Sequence, residues 1–198
     1  KPQEAHRSSP ILWSEYEIEA KSSLTDRVLR NLKYGDAFAV MDAHGDIGTV
    51  KETAEGLYYR DTRYLSHFEM RLEGKRPLLL SSAVHEDKAA LSVELTNPDV
   101  DRGEHDRLGR DTIFIQRTKF LLGSHCQERI GIRSFAAATQ RLRIDFLYDA
   151  DFSDMFEVRG TRRHGRGQRK PRVVDADKVE FLYRGLDNVE RRTVLAFS

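Results

Sequence analysis

Leu142-Arg143-Ile144-Asp145-Phe146-Leu147-Tyr148 is the stretch that decides the fold. Leu142, Ile144, Phe146 and Tyr148 fall on one face and the residues between them on the other, as a half-buried strand requires. The same period of two recurs in Phe68-Glu69-Met70-Arg71-Leu72, in Ala90-Leu91-Ser92-Val93-Glu94-Leu95 and along Cys126 to Arg133. Shorter apolar runs at 37–41, 112–115, 179–183 and 194–197 add buried-strand candidates, and a strand is also expected over 25–32. Turn chemistry separates the runs: Gly35-Asp36, Asp42-Ala43-His44-Gly45-Asp46, Glu73-Gly74, Asn97-Pro98 and Asp187-Asn188. Glu73-Gly74 predicts a hairpin between 68–72 and Pro77 to Ser82, while 101–111, almost wholly polar, reads as a loop. Short, evenly spaced strands without a long helical pattern predict an all-β fold, an antiparallel β-sandwich with little helix. Residues 24–198 are expected to form that single domain, with 1–23 as an extended leader pinned by Trp13.

Composition narrows the function classes. With 33 basic and 32 acidic residues the net charge is +1, so no global field draws nucleic acid or an anionic membrane. No apolar run reaches the roughly 18 residues of a membrane span, and Lys1 to Pro10 lacks a signal-peptide core. Cys126 is the sole cysteine, which rules out an intrachain disulfide and suits the cytoplasm. The chain ends on the strand-like Thr193-Val194-Leu195-Ala196-Phe197-Ser198 and is read as a piece of a longer protein. No phosphate-cradling glycine loop or nucleophile elbow is present, and the seven His never recur at helical i, i+4 spacing. The expectation is no cofactor and no metal. Asp42 to Gly48 distantly echoes a calcium loop, but a plain turn accounts for it better.

Two segments depart from plain strand patterning. Gly56-Leu57-Tyr58-Tyr59-Arg60-Asp61-Thr62-Arg63-Tyr64-Leu65 sets three Tyr among charged groups. Asp149-Ala150-Asp151-Phe152-Ser153-Asp154-Met155-Phe156-Glu157-Val158-Arg159-Gly160 repeats the mixture. Tyr58, Tyr59, Arg60, Asp61, Arg63, Tyr64, Asp151, Asp154, Glu157 and Arg159 are therefore the candidates for contact with a carbohydrate or with a neighbouring domain. Tyr rings stack on pyranose faces and Arg and Asp bind hydroxyls, but domain docking and simple sheet packing ask for the same side chains. The carboxylates of the second segment look like a glycosidase pair, yet Asp149 and Asp151 share a face merely through strand periodicity, and nothing raises the pKa of either. Pairing with Arg159 or Arg162 is the expectation for them, and no catalytic residue is assigned. Arg159 to Arg172 is basic and punctuated by glycine, and reads as a mobile hairpin connection, with polyanion binding as an alternative.

Six segments in order, Lys33 to Val40, His44 to Ile47, Gly56 to Leu65, Leu95 to Asp99, Asp149 to Gly160 and Tyr183 to Asp187, together resemble the N-terminal domain of bacterial amylo-alpha-1,6-glucosidase, glycogen debranching enzyme-like, proteins. The resemblance covers about residues 32–198. It implies a supersandwich-like β-fold, a place in α-glucan metabolism, and a C-terminal (α/α)6 barrel that carries the catalytic carboxylates of a glycoside hydrolase. The partner implied is that catalytic domain of the same polypeptide. An independent carbohydrate-binding module taking α-glucan oligosaccharide through 56–70 is the alternative.

Overall fold

The computed structural model describes residues 28–49, 53–103, 106–162 and 165–198. The leader and the start of the strand expected at 25–32 lie outside them. The fold is all-β and antiparallel, without a closed barrel. One sheet has the order β1-β2-β3-β4, from β1 (Arg30–Tyr34), β2 (Ala37–Met41), β3 (Gly56–Tyr59) and β4 (Thr62–Leu65). A second runs β11-β10-β7-β6, from β6 (Leu78–Val84), β7 (Ala90–Thr96), β10 (Ile113–Leu122) and β11 (His125–Ser134). Leu32, Ala37, Ala39 and Met41 of the first share one buried cluster with Leu91, Val93, Leu95, Ile113, Ile115 and Leu121 of the second. Burying each such Leu or Ile side chain is worth about 1.5–3 kcal/mol, so this cluster is the main source of cohesion between the sheets.

β5 (His67–Leu72) pairs with β12 (Ile144–Asp149) and places Met70 and Leu72 in the same cluster. The hairpin expected between 68–72 and 77–82 is therefore replaced. Glu73 and Gly74 do turn the chain, both at positive φ, but only Leu72 and Lys75 pair across them. Arg76 then turns into the side chains of Asp42 and Asp46, and the chain passes to the other sheet, where β6 pairs with β7. A third sheet, β13 (Gln168–Asp175), β14 (Lys178–Arg184) and β15 (Glu190–Ala196), is tied to β4 where the Thr193 hydroxyl donates to the Tyr64 carbonyl at 2.6 Å. Its Phe181 joins Ala150 and Phe152 in a second, smaller core. β13 also corrects the reading of 159–172 as a connection throughout, because from Gln168 onward that segment is laddered strand.

Two further corrections concern polar residues. The 101–111 loop contains a small ladder, β8 (Val100–Asp101) with β9 (Arg107–Leu108), fastened by buried Leu108 and by Asn97. The Asn97 side chain donates to the Pro98 and Gly109 carbonyls and accepts from the amides of Thr112 and Ile113, so these bonds hold the end of the loop against the start of β10. β10 continues well past Ile115 because Arg117 and Lys119, which look solvent-facing in the sequence, point inward between Ile115 and Leu121. The Arg117 guanidinium is bonded to Asp46 at 2.6 Å, Glu128 at 2.6 Å and the His44 carbonyl at 2.9 Å, and Lys119 reaches Glu128 at 2.6 Å. Buried charge survives here because each cation meets a carboxylate directly. Burial alone would raise the Glu128 carboxyl, but Lys119 and Arg117 outweigh it and hold the pKa at about 2.

Candidate functional site

The turn between β3 and β4 consists of two residues, Arg60 and Asp61, both at positive φ, the geometry of a type I′ hairpin loop. It delivers Arg63 to the chain leaving β12. There the two segments singled out by the sequence meet. The Arg63 amide donates to the Ser153 carbonyl at 2.8 Å, the Met155 amide to Asp61 at 2.9 Å and the Ser66 amide to Asp149 at 2.9 Å. The side chains complete the join. Arg63 Nε and Nη2 bind the two Asp151 oxygens at 3.1 and 2.5 Å, and its Nη1 donates to the carbonyls of Thr53 and Glu55. A bidentate guanidinium–carboxylate pair of this kind fixes orientation as well as distance.

The Asp151 carboxylate is aimed by Phe152, which adopts φ +52. For a bulky side chain the left-handed region costs about 1–2 kcal/mol, which packing must offset. Phe152 stacks on Tyr183 at 5.3 Å and meets Tyr64 edge-on at 5.7 Å. Past the turn, Ser153 donates to Asp151 through its hydroxyl. Asp154 then caps the short helix α1 (Met155–Val158), with Glu157 completing a capping box. Burial pushes the Asp151 pKa upward, yet the Arg63 hydrogen bond and charge and the Ser153 bonds prevail and lower it below the ordinary carboxylate value. A group so held is a poor proton donor at neutral pH, the opposite of a glycosidase general acid.

The individual candidates occupy different settings. Tyr58 is 2% exposed, lies flat against Phe38 at 4.4 Å and donates its hydroxyl to the Ala54 carbonyl. Tyr64 meets Tyr59 edge-on as well as Phe152, and Arg60 caps the Tyr59 ring while pairing with exposed Asp36. Asp61 is exposed at the hairpin tip. The carboxylates do not pair with Arg159 or Arg162 as the sequence suggested: Asp149 binds Arg169, Asp151 binds Arg63, and Glu157 binds Arg166. Arg166 also donates to the Ser153 hydroxyl. Among the described residues, Arg166 and Arg169 thus fasten the basic segment to the acidic one.

Around this join opens a cleft of about 750 Å³, walled by Gly48, Thr53, Arg63 and Ser66 on one side and by Asp151, Ser153, Glu157 and residues 158–162 and 166 on the other. Thr53, Gly48 and Ser66 were not among the sequence candidates. Gly48, at φ +67, is needed for the close approach: a Cβ there would sit 2.1 Å from the Ser66 carbonyl oxygen. Among the described residues no group of three His, Cys, Asp or Glu side chains is placed to hold a metal ion, and no helix is long and apolar enough to cross a membrane.

Fold and join together define an antiparallel β-sandwich domain with an ionic cleft at the meeting of β4 and the β12–α1 connection. A family model for the N-terminal domain of some glycogen debranching enzymes matches residues 32–198, and the chain belongs to that family. No curated protein and no solved structure matches it.

Proposed function

We propose that this domain is the non-catalytic N-terminal sandwich of an α-glucan-debranching glycoside hydrolase of the cytoplasm, and that the surface formed by 56–65 and 151–160 packs against a C-terminal helical catalytic domain and shapes its site. The observation that carries this reading is what the join leaves facing outward. Phe156, on α1 beside the cleft, is 67% exposed, and Leu186, which lies against Gly165, is 69% exposed. Arg159 has no carboxylate partner among the described residues. Phe156 and Arg159 stand three positions apart at α1, and an exposed aromatic ring next to an unpaired guanidinium suits a covered face better than a solvated one. The Tyr rings, in contrast, are taken up by packing against Phe38, Phe152 and one another, which weighs against a sugar-stacking platform at 58–64.

Phe156→Asp and Arg159→Glu in the full-length enzyme test the proposal. The isolated domain should melt within about 1 kcal/mol of wild type, because exposed side chains contribute little to its own stability. The full-length variants should lose glucan hydrolysis or domain cohesion, since a charge buried against an apolar face costs about 2–5 kcal/mol. Unchanged full-length activity and cohesion would place the docking surface elsewhere, and tight binding of maltooligosaccharide by the isolated domain would favour a carbohydrate-binding module.

A further inference from the structure

The cleft is unbalanced in charge. Among the described residues of its wall, Arg63, Arg159, Arg162 and Arg166 face Asp151 and Glu157, four guanidiniums against two carboxylates, in a chain whose total is only +1. Both carboxylates are already engaged, Asp151 by Arg63 and Glu157 by Arg166. The surplus therefore resides on Arg159 and Arg162, neither of whose guanidiniums has a hydrogen-bonded or ionic partner among the described residues. They stand three positions apart on the turn that leaves α1, on either side of Gly160 and Thr161.

The rest of the lining favours a small hydroxylated ligand. Thr161 brings a hydroxyl beside the two guanidiniums, the hydroxyls of Ser66 and Ser153 being bonded to the Asp149 carbonyl and to Asp151, and Val158 is the one apolar side chain among the described wall residues. A volume of about 750 Å³ falls within the range of small-molecule sites, roughly 300–1,000 Å³. Planar, always-charged guanidiniums match a phosphoryl group bidentately, and a phosphomonoester carries close to two negative charges at neutral pH. From this arrangement we infer that the cleft is a binding site for a phosphorylated sugar or for phosphate itself, with Arg159 and Arg162 gripping the phosphoryl oxygens and Arg166 and Thr161 at its margin. The Arg63–Asp151 pair holds the wall in place and leaves the ligand to the unpaired cations. The inference rests on the docking proposal only in that the two share a surface, and it is tested on this chain alone, so either can fail without the other.

The experiment is an amide-resolved NMR titration of the 198-residue chain, at constant ionic strength, with glucose 1-phosphate, inorganic phosphate and glucose in separate arms. Glucose 1-phosphate should shift the amides of 158–162 and Ser153, and Arg159→Ala/Arg162→Ala should weaken binding at least about tenfold while the melting curve stays that of a folded protein. Arg159→Lys/Arg162→Lys, retaining charge without the fork, should fall between. If inorganic phosphate shifts the same amides as strongly, the phosphoryl group alone is the ligand, which also supports the site. The inference is overturned if neither phosphate compound moves these amides, if glucose moves them equally, if the double Ala variant binds as wild type, or if a polyglutamate peptide binds there and the phosphates do not.

Discussion

Replacing Arg117 with Ala is the most severe test of how the two main sheets are held together. The side chain is 1% exposed and bridges Asp46, itself 1% exposed, to Glu128. Removing it leaves Asp46 with Arg76 and Glu128 with Lys119, and it opens a cavity between Ile115 and Leu121. Breaking a buried pair from one side costs about 3–5 kcal/mol, and here the lost guanidinium bonds to Asp46, Glu128 and the His44 carbonyl act together with the cavity, since Arg76 and Lys119 still partner the carboxylates. For a domain of this length each kcal/mol moves the melting temperature by about 2–4 °C, so a fall of roughly 6–20 °C is expected by calorimetry, with a matching shift in urea midpoint. Arg117→Lys keeps the charge but cannot reach three acceptors in fixed directions, and should lose less. The same network sets a pH signature. Glu128 titrates at about 2 in the folded chain against an ordinary 4.5, so its contribution is fully present above pH 4.5 and is lost as the pH falls toward 2. Glu128→Gln should flatten stability across that window. An Arg117→Ala protein within about 1 kcal/mol of wild type would mean that water already solvates these carboxylates, and the account of β10 would fail.

Asp151→Asn should destabilise by about 2 kcal/mol in urea unfolding, because the Arg63 fork loses its charged partner in a half-buried setting. Gly48→Ala should cost about 1–3 kcal/mol or more, from positive φ combined with the clash against the Ser66 carbonyl, and a melt unchanged by the mutation would disprove the close approach. Arg60→Asn with Asp61→Gly should instead raise stability by up to about 1 kcal/mol, since Asn-Gly suits two positive φ angles and the exposed Arg60–Asp36 pair contributes little. A lower melting temperature in that variant would show that the Arg60 contact with the Tyr59 ring matters more than the turn.

Strand positions were readable wherever side chains alternated or ran wholly apolar: Leu142 to Tyr148, Ala90 to Leu95 and Ala37 to Met41 lie in or against strands β12, β7 and β2. Pairing was less accessible, because β5 joins β12 across more than 70 residues of chain and no local signal competes with the obvious Glu73-Gly74 hairpin. Arg117 and Lys119 hid the second half of β10, since a cation reads as surface until its buried carboxylates are known. At the candidate site, composition marked both segments, and the structure brings them together. Which Arg takes which acid depended on Phe152 reversing the chain and on β13 bringing Arg169 and Arg166 alongside, and neither event has a local signature.

Arg63 and Asp151 stand 88 residues apart in the chain, and Tyr64 and Thr193 stand 129 apart. Contacts of such range are entropically costly to close, so the cleft should be among the late structures to form, in a domain that folds in milliseconds to seconds rather than microseconds. During synthesis at about 5–20 residues per second, the Arg63 guanidinium waits roughly 4–18 s for Asp151 to be made, and longer still for the strand that closes over Tyr64. Throughout that interval the edge of β4 that later pairs with the Asp149 and Ser153 carbonyls stays open, an unpaired strand edge of the kind that invites association with other chains.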